Sequence, residues 1–247
     1  MSLENRISNW LKEYLFNHKL DSFVIGVSGG IDSAVTSTLC AMTGEKIIVV
    51  IMPIHQNPNQ TNFGLNHCNW LKNKYKNVDI VEIELSSSFE ELKQNIPIKF
   101  HDDLSLANTR ARLRMTTLYL IAASSKGIVV GTGNKVEDFG VGFFTKYGDG
   151  GVDISPIADL MKSEVYSLGK RLGINEEILN AKPTDGLWDD NRTDEDQLGV
   201  SYDDLEWAMK YDSGEVSDKQ QNILNVYNKH REANLHKMQK IPVFKKK

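Results

Sequence analysis

Apolar positions fall into short runs along the first half of the chain, and their spacing predicts secondary structure. Residues 3–16 carry apolar side chains at helical spacing, which predicts an N-terminal helix. Four short apolar runs, at 23–27, 47–52, 78–83 and 128–131, predict strands. The run at 47–52 is apolar at every position, which is typical of a parallel strand that is buried on both faces.

Amphipathic segments lie between these runs and predict helices that open near residue 34 and then cover 61–75, 89–100 and 106–123. One stripe of the 106–123 helix consists of small and apolar residues: Ala111, Met115, Leu118 and Ala122. Because strands that alternate with helices form right-handed βαβ units, we expect a doubly wound parallel sheet flanked by helices, a Rossmann-like α/β fold. Ligands bind at the carboxyl ends of such strands, so the loops after the first, second and fourth strands should converge on one site.

The pattern changes after residue 140. Residues 140–151 are rich in glycine and aromatic side chains, whereas residues 182–199 are polar and acidic. Both segments are predicted as long functional loops or lids. Helical spacing returns at 202–211 and 217–235. Since the chain has neither an internal repeat nor a low-complexity linker, we expect one domain over residues 1–247.

Composition narrows the possible partners. The chain has 247 residues and a net charge of −4, which argues against nucleic acid as a ligand. No apolar run approaches the roughly 18 residues of a membrane span, so we expect no membrane partner. Cys40 and Cys68 lack the spacing of a metal site, and we expect buried or incidental thiols in a reducing cytoplasm.

The segment 26–33, Gly-Val-Ser-Gly-Gly-Ile-Asp-Ser, follows the first predicted strand and leads into a helix. Glycines allow close approach of the backbone to an anion, and the N–H groups at a helix start bind phosphate. Asp32 in this loop suggests a divalent cation between carboxylate and phosphate. The segment matches neither the G-x-x-x-x-G-K-[ST] loop nor the G-x-G-x-x-G fingerprint. An ordinary Gly-Gly turn before a helix is the alternative interpretation.

The pattern S-G-G-x-D-S is that of the pyrophosphatase-type ATP loop, and other motifs specify a narrower resemblance. Nearly the whole chain resembles the ammonia-dependent NAD synthetases, within the superfamily of N-type ATP pyrophosphatases. The resemblance rests on five motifs: Ser28–Ser33; Asn-Thr-Arg-Ala-Arg-Leu-Arg at 108–114; Gly-Thr-Gly-Asn-Lys-Val-Glu at 131–137; Phe-Thr-Lys-Tyr-Gly-Asp-Gly-Gly at 144–151; and Lys-Pro-Thr at 182–184 with Thr-Asp-Glu at 193–195. The segment from Glu137 to Lys146 is one residue longer than in several relatives.

The resemblance implies a fold like that of the adenine nucleotide alpha hydrolases and a two-step amide synthesis. The nicotinate carboxylate of deamido-NAD attacks the α-phosphate of ATP, and pyrophosphate leaves. Ammonia then attacks the acyl adenylate, which gives NAD and AMP. It further implies Mg²⁺ as the cofactor and a homodimer, with the N-terminal helix around Trp10 and Tyr14 and the helix bearing Arg112 as candidate interface material.

The resemblance also assigns residues to ATP and to the metal. Asp32 and Glu137 are implied as Mg²⁺ ligands, and Asp32, Lys162 and Asp153 are the catalytic candidates. A surface acid at a helix start is the alternative interpretation of Glu137. The implied ATP-binding residues are Gly26, Val27, Ser28, Gly29, Gly30, Ile31, Asp32, Ser33, Thr132, Lys162 and Thr184.

A second group of residues is assigned to the acid substrate. Arg112 carries a guanidinium, which suits a phosphate or a carboxylate. For Arg110 and Arg114 a solvated or ion-paired role is equally open. Phe143, Phe144 and Tyr147 could stack on the nicotinate ring or simply pack in the core. The implied deamido-NAD-binding residues are Arg112, Lys146, Asp153, His236 and Lys237.

Features that the sequence lacks bear on the nitrogen donor and on the competing functions. The ATP loop begins at residue 26, which leaves no space before it for a glutaminase (amidase) domain, so we expect free ammonia as donor unless a separate glutaminase supplies it. A GMP synthetase domain or a tRNA-modifying enzyme would share the ATP loop. A basic surface, which the net charge of −4 disfavours, would indicate the tRNA enzyme. A non-catalytic nucleotide sensor should have lost Asp32 or Glu137.

Overall fold

The computed structural model describes residues 1–56, 58–184 and 193–246. Over these residues the strands form one all-parallel sheet in the order β3-β2-β1-β4. Ser22 at the start of β1 pairs with Lys46 on one side and with Gly127 on the other. The predicted parallel α/β fold is confirmed. The strands are β1 (Ser22–Gly26), β2 (Lys46–Ile51), β3 (Val78–Glu82) and β4 (Gly127–Val129).

Helices cover both faces of the sheet. They are α1 (Leu3–His18), α2 (Ile31–Met42), α3 (Pro58–Lys74), α4 (Ser86–Asn95), α5 (Asp103–Ser124), α6 (Lys162–Leu172), α7 (Glu176–Asn180), α8 (Asp194–Leu198), α9 (Tyr202–Lys210) and α10 (Asp218–Met238). In the described part of the chain, none of these helices combines the length and hydrophobicity that a membrane crossing requires.

The two apolar layers follow from the alternation of side chains along the strands. Phe23 and Ile25 of β1 are fully buried in a cluster with residues of α1, α2, α3 and α6. Val24, between them, is buried on the opposite face with residues of α4 and α5. Burying an aliphatic or aromatic side chain of this size contributes about 1.5–3 kcal/mol, so both layers fix the strands and the loops at their ends.

Local signals set the helix boundaries around Pro97. The predicted helix at 89–100 is wrong in its limits, because α4 already begins at Ser86 and ends at Asn95. Ile96 adopts an extended conformation, as expected for a residue before proline, and a short 3₁₀ turn follows at Ile98–Phe100. Asp102 then caps α5 by accepting a hydrogen bond from the Ser105 N–H at 2.9 Å.

The second half of the chain holds more regular structure than its sequence predicts. The loop predicted at 182–199 is wrong for Asp194–Leu198, which forms α8 behind a capping box, while residues 185–192 lie outside the described residues. The predicted C-terminal helices are confirmed as α9 and α10. Before the 140–151 loop, Lys135–Val141 winds as a π-helix, a wider turn that accommodates one residue more than an α-helical turn.

Candidate active site

A cavity of about 800 Å³ opens at the carboxyl end of the sheet. Its walls include residues 26–33 after β1, Met52 and Gln56 after β2, and residues 131–133 after β4. The predicted convergence of these three loops is confirmed. Helix α5 forms a further wall through residues such as Ala111 and Met115, which belong to its predicted apolar stripe.

The glycine loop takes a backbone shape that its residue types permit. Gly29 has a φ of 89°, a conformation that residues with a Cβ rarely adopt. The Ser33 hydroxyl donates to the Gly30 carbonyl at 3.0 Å, and the Ser28 hydroxyl accepts from the Gly30 N–H at 3.2 Å. Gly30 is the N-cap of α2 and has no side chain to cap it. The first turn of α2 therefore offers backbone donors to an anion in the cavity.

Three charged side chains meet at the edge of this loop. The Lys162 ammonium donates to Asp32 Oδ2 at 2.6 Å and to Glu137 Oε1 at 2.8 Å. Lys162 is only 3% exposed, although all three residues contribute to the cavity wall. Asp32 comes from the start of α2, Glu137 from the π-helical turn and Lys162 from the start of α6. The fold thus unites acids from two loops with a buried cation.

Burial and mutual interaction shift the pKa values of this triad. Burial raises the pKa of Asp32; the Lys162 ammonium opposes this rise, and the Glu137 carboxylate adds to it. Burial acts on Glu137 in the same direction, but the charge and hydrogen bonds of Lys162 outweigh it and lower its pKa. Burial would lower the pKa of Lys162, yet both carboxylates hold it above its usual value. When both carboxyl groups are ionised, the single ammonium balances only one of them, and the remaining negative charge favours a further cation.

Asn134 links the two acidic loops, and sequence reasoning missed it as a site residue. Its side-chain oxygen caps the π-helical turn by accepting from the Val136 and Glu137 N–H groups, each at 3.1 Å. Its amide nitrogen donates to Asp32 Oδ1 at 3.1 Å. An asparagine before a helix is a recognisable cap signal, but its contact with a residue from a distant loop has no local signature.

Two further acids line the cavity and were also missed. Burial raises the pKa of Asp138 well above its usual value, and the Glu137 and Asp149 carboxylates raise it further. Asp149 is more exposed, and its Oδ1 accepts a hydrogen bond from the Thr145 N–H at 2.9 Å. The Asp-Gly pattern at 149–150 predicts a turn, which hid the inward position of this carboxylate.

Most residues assigned to the acid substrate lie where the 140–151 loop contacts α5 on one side and the C-terminal end of α10 on the other. The Arg112 guanidinium donates to the Lys146 carbonyl at 3.3 Å, and the Lys146 ammonium donates to the His236 carbonyl at 2.9 Å. Lys237 lies deeper and donates to the carbonyls of Gly142 at 3.0 Å and Phe144 at 2.8 Å. Of these residues, only Lys237 lines the cavity wall together with the glycine loop.

Asp153 lies apart from the triad. Its carboxylate accepts hydrogen bonds from the Tyr119 hydroxyl and from the Val129 N–H, both at 2.9 Å. It is exposed and fastens β4 to α5, and it is not among the cavity-lining residues. Its catalytic and substrate-binding roles remain predictions. Thr132 and Thr184, by contrast, both line the cavity.

The remaining candidates divide in the same way. Phe143 and Phe144 line the cavity, whereas Tyr147 is 52% exposed and does not. Arg114 lines it and donates to the Met52 carbonyl at 2.9 Å, at the end of β2. Arg110 instead places its guanidinium 5.5 Å from the centre of the Phe89 ring. The two arginines on one helical face therefore have different surroundings.

The sequence of this chain matches one protein family over nearly its whole length. The family model described as NAD synthase matches residues 3–247. The NH(3)-dependent NAD(+) synthetase of Carboxydothermus hydrogenoformans is 40% identical over 204 residues, which cover 81% of this chain and 82% of that protein. The corresponding protein of Alkaliphilus metalliredigens is 38% identical over 233 residues, 89% of each chain.

Solved structures agree on the fold. The NMN synthetase of Francisella tularensis superposes with a TM-score of 0.88 at 33% identity, covering 98% of this chain and 96% of that one. The NH3-dependent NAD synthetase of Campylobacter jejuni gives a TM-score of 0.77 at 25% identity, covering 98% of each chain.

Proposed function

The chain belongs to the NAD synthase family, and we propose that it catalyses the ATP-dependent amidation of deamido-NAD with ammonia. The enzyme is a ligase that forms a C–N bond. The observation that carries this proposal is the meeting of the glycine loop, Asp32, Glu137 and Lys162 in one cavity, in a chain of this family.

The reaction needs activation because a carboxylate is a poor electrophile. An oxygen of the nicotinate carboxylate attacks the α-phosphorus of ATP, and the bond to the bridging oxygen breaks with release of pyrophosphate. Ammonia adds to the acyl carbon of the adenylate, loses a proton and expels AMP, which retains the attacking carboxylate oxygen. The backbone N–H groups in the first turn of α2, residues 31–33, would bind the phosphates. The Lys162 ammonium would stabilise the charge that develops on pyrophosphate.

The donor set fits Mg²⁺. Asp32 and Glu137 direct one oxygen each at the same ammonium, so their carboxylates already converge on a point of positive charge. Mg²⁺ is commonly held by one or two protein carboxylates together with substrate phosphates. Bound there, the ion would neutralise phosphate charge during nucleotidyl transfer. Lys162 contacts only one oxygen of each carboxylate, so the same two acids would hold the ion and the ammonium together.

The outer residues support the position of the acid substrate. Arg112, Lys146 and Lys237 bring positive charge to the 140–151 loop, where the hydrogen bonds that they donate go to backbone carbonyls. The Asp149 carboxylate also acts on Lys237. Since a carbonyl does not neutralise a cation, Arg112 and Lys146 keep charge that would attract an anionic ligand. The aromatic rings of Phe143 and Phe144, in the same loop, lie on the cavity wall and offer stacking surfaces for a nicotinate ring.

A second acid substrate is favoured by one specific observation. The Francisella tularensis structure, which superposes over 98% of this chain, is an NMN synthetase. By that likeness the alternative acid is the nicotinate mononucleotide, which has the same carboxylate and the same chemistry but lacks the second nucleotide. Comparison of kcat/KM for the two acids decides between them.

We also propose that the enzyme is a homodimer. On α5 and in the 3₁₀ turn before it, Leu120 is 71% exposed and Ile98 is 85% exposed. Trp10 on α1 is 44% exposed. A second copy of the chain packed on α5 would cover Leu120 and Ile98 and would approach Arg112. Light scattering should give the mass of two chains, and Leu120→Glu should give the mass of one.

Ammonia is proposed as the nitrogen donor because the relatives are NH(3)-dependent enzymes.

A cytoplasmic location is proposed because Cys40 and Cys68 are buried free thiols. Burial raises the pKa of Cys68 to about 12, so neither oxidation nor metal binding is favoured at that site.

The test of the function is product identification. Purified protein is incubated with Mg²⁺, ATP and ammonium plus either deamido-NAD or the nicotinate mononucleotide, and the products are separated by chromatography. We expect AMP, pyrophosphate and one amide in equal amounts. ADP with orthophosphate, or AMP without an amide, would contradict the proposal.

A further inference from the structure

Tyr202, the first residue of α9, lies behind the charged triad and does not contribute to the cavity wall. It is 6% exposed. Its hydroxyl lies 2.5 Å from Glu137 Oε1 and 3.2 Å from Asp194 Oδ2. Because a phenol has one proton to donate, the shorter distance assigns that proton to Glu137.

The ring of Tyr202 contacts a second member of the triad. The Lys162 Nζ lies 4.7 Å from the ring centre, within the range of a cation–π interaction. Glu137 Oε1 therefore accepts from both Lys162 and Tyr202, while Lys162 is held by two carboxylates and one aromatic face. One side chain thus fixes the positions of two groups that the proposed reaction uses.

Core packing explains the ring but not the hydroxyl. Tyr202 belongs to an apolar cluster that includes Val136, Leu198 and Leu205, and a phenylalanine would fill the same volume. A tyrosine hydroxyl is ordinarily protonated at neutral pH, and its short contact with Glu137 Oε1 makes it the donor. A buried donor aimed at a carboxylate of the cavity points to a role in the site.

We propose that Tyr202 is a positioning residue of the ligase: its hydroxyl fixes the Glu137 carboxylate and its ring fixes the Lys162 ammonium. The inference rests on the proposed function. It predicts that loss of the hydroxyl weakens the binding of a divalent cation with ATP and leaves the ammonia step unaffected.

The experiment compares Tyr202→Phe with the wild-type protein. Mn²⁺ binding is measured by electron paramagnetic resonance in the presence of α,β-methylene-ATP, which does not release pyrophosphate. We expect Mn²⁺ to bind about tenfold more weakly to the variant, the effect of one lost hydrogen bond to a charged group. The KM for Mg·ATP should rise by a similar factor, while the KM for ammonium should not change.

Tyr211 supplies a matched control. It ends the same helix, and its hydroxyl donates to the Gly214 carbonyl at 2.6 Å, away from the triad. Tyr211→Phe removes one tyrosine hydroxyl in the same way and should leave Mn²⁺ binding unchanged. In a Glu137→Gln background, Tyr202→Phe should cause less than a twofold further change, because its target has already been altered.

Three results would overturn the inference: unchanged Mn²⁺ affinity in Tyr202→Phe, an equal loss in Tyr211→Phe, or a failure of Tyr202→Phe to fold, which would assign the hydroxyl to structure alone. Failure of the proposed function looks different, because the wild-type protein itself would then form no AMP and pyrophosphate.

Discussion

The two ends of the cavity are built differently. At the inner end, Asp32, Glu137 and Lys162 satisfy one another within the chain, and burial makes each contact strong. At the outer end, Arg112 is exposed and Lys146 is half-buried, and the hydrogen bonds that they donate go to backbone carbonyls. The inner end is preorganised in the structure, whereas Arg112 and Lys146 form no ion pair with the residues that the structure describes.

The difference between the two ends matches the two tasks that we propose for them, nucleotidyl transfer at the inner end and recognition of the acid at the outer end. A reaction that moves a nucleotidyl group needs fixed charges, which a buried network provides without reorganisation. Recognition of a long anionic substrate tolerates adjustable charges at the surface. We therefore expect substitutions at the inner end to abolish turnover and substitutions at the outer end to weaken binding of the acid.

The largest expected effect is that of Asp32→Asn. The amide keeps the shape but loses the charge that we propose for the metal, so turnover should fall by roughly 100-fold or more while the protein remains folded. Rates of AMP formation and thermal unfolding measure the two properties. Asp79, an exposed partner of Lys46, provides the control Asp79→Asn, which should be fully active. A rate of AMP formation for Asp32→Asn within twofold of the wild-type rate would contradict the claim that the inner end carries the chemistry.

The next effect is a loss of stability in acid, and it concerns α2, the helix that carries Asp32. Buried His67 of α3 is hydrogen-bonded to the Ser37 hydroxyl of α2 at 2.9 Å. Burial lowers the pKa of His67 to about 4. In the unfolded chain it should be near the ordinary 6.5, so between these values the unfolded state binds more protons and acid destabilises the fold. Above pH 6.5 His67 is neutral in both states and does not reduce the free energy of unfolding. On acidification to pH 5, its protonation in the unfolded chain should lower the free energy of unfolding by about 2 kcal/mol.

Urea unfolding at pH 7 and pH 5 measures that loss. His67→Gln cannot titrate, so its free energy of unfolding should fall less between the two values than that of the wild type. Parallel pH profiles for the two proteins would show that His67 does not carry the effect and that the support beneath α2 is pH-insensitive.

The smallest effect is expected at the outer end. Arg112→Ala should raise the KM for the acid substrate about tenfold, since one charge-assisted contact is worth about 1.4 kcal/mol, and should leave the KM for ATP unchanged. Initial rates at varied acid and ATP measure both constants. Arg171→Ala, which breaks an exposed contact with Glu4, is the control. An equal rise in both KM values would contradict the separation of the two ends.

The positions of the glycine loop and of the loop after β4 could be predicted from the sequence because their signals are local, while the roles of Asp32, Glu137 and Lys162 stay predictions. A glycine turn between an apolar strand and a helix has few structural solutions, and strand alternation then brings the loop of Glu137 to the same edge of the sheet. Asn134 and Tyr202 were missed because their partners, Asp32 and Glu137, are distant in sequence. Only the packing of α9 against the π-helical turn brings Tyr202 to this site.

The limits of prediction in the second half have a different cause. Helix α6 covers residues for which the sequence analysis proposed no element, although Lys162 at its start was identified from the resemblance. Short α8 lies in a predicted loop because five residues are too few for a periodic signal. Asp153 was identified by the same resemblance, yet it contacts Tyr119 and Val129 away from the cavity.

The most direct measurement follows an oxygen atom from the acid to the nucleotide. Deamido-NAD, or the mononucleotide if that is the substrate used, is prepared with ¹⁸O at both carboxylate oxygens and turned over with ATP and ammonium. If the carboxylate attacks the α-phosphorus at the inner end, the AMP carries one ¹⁸O, the amide keeps the other and pyrophosphate carries none. AMP without the label, or label in pyrophosphate or orthophosphate, would contradict the account.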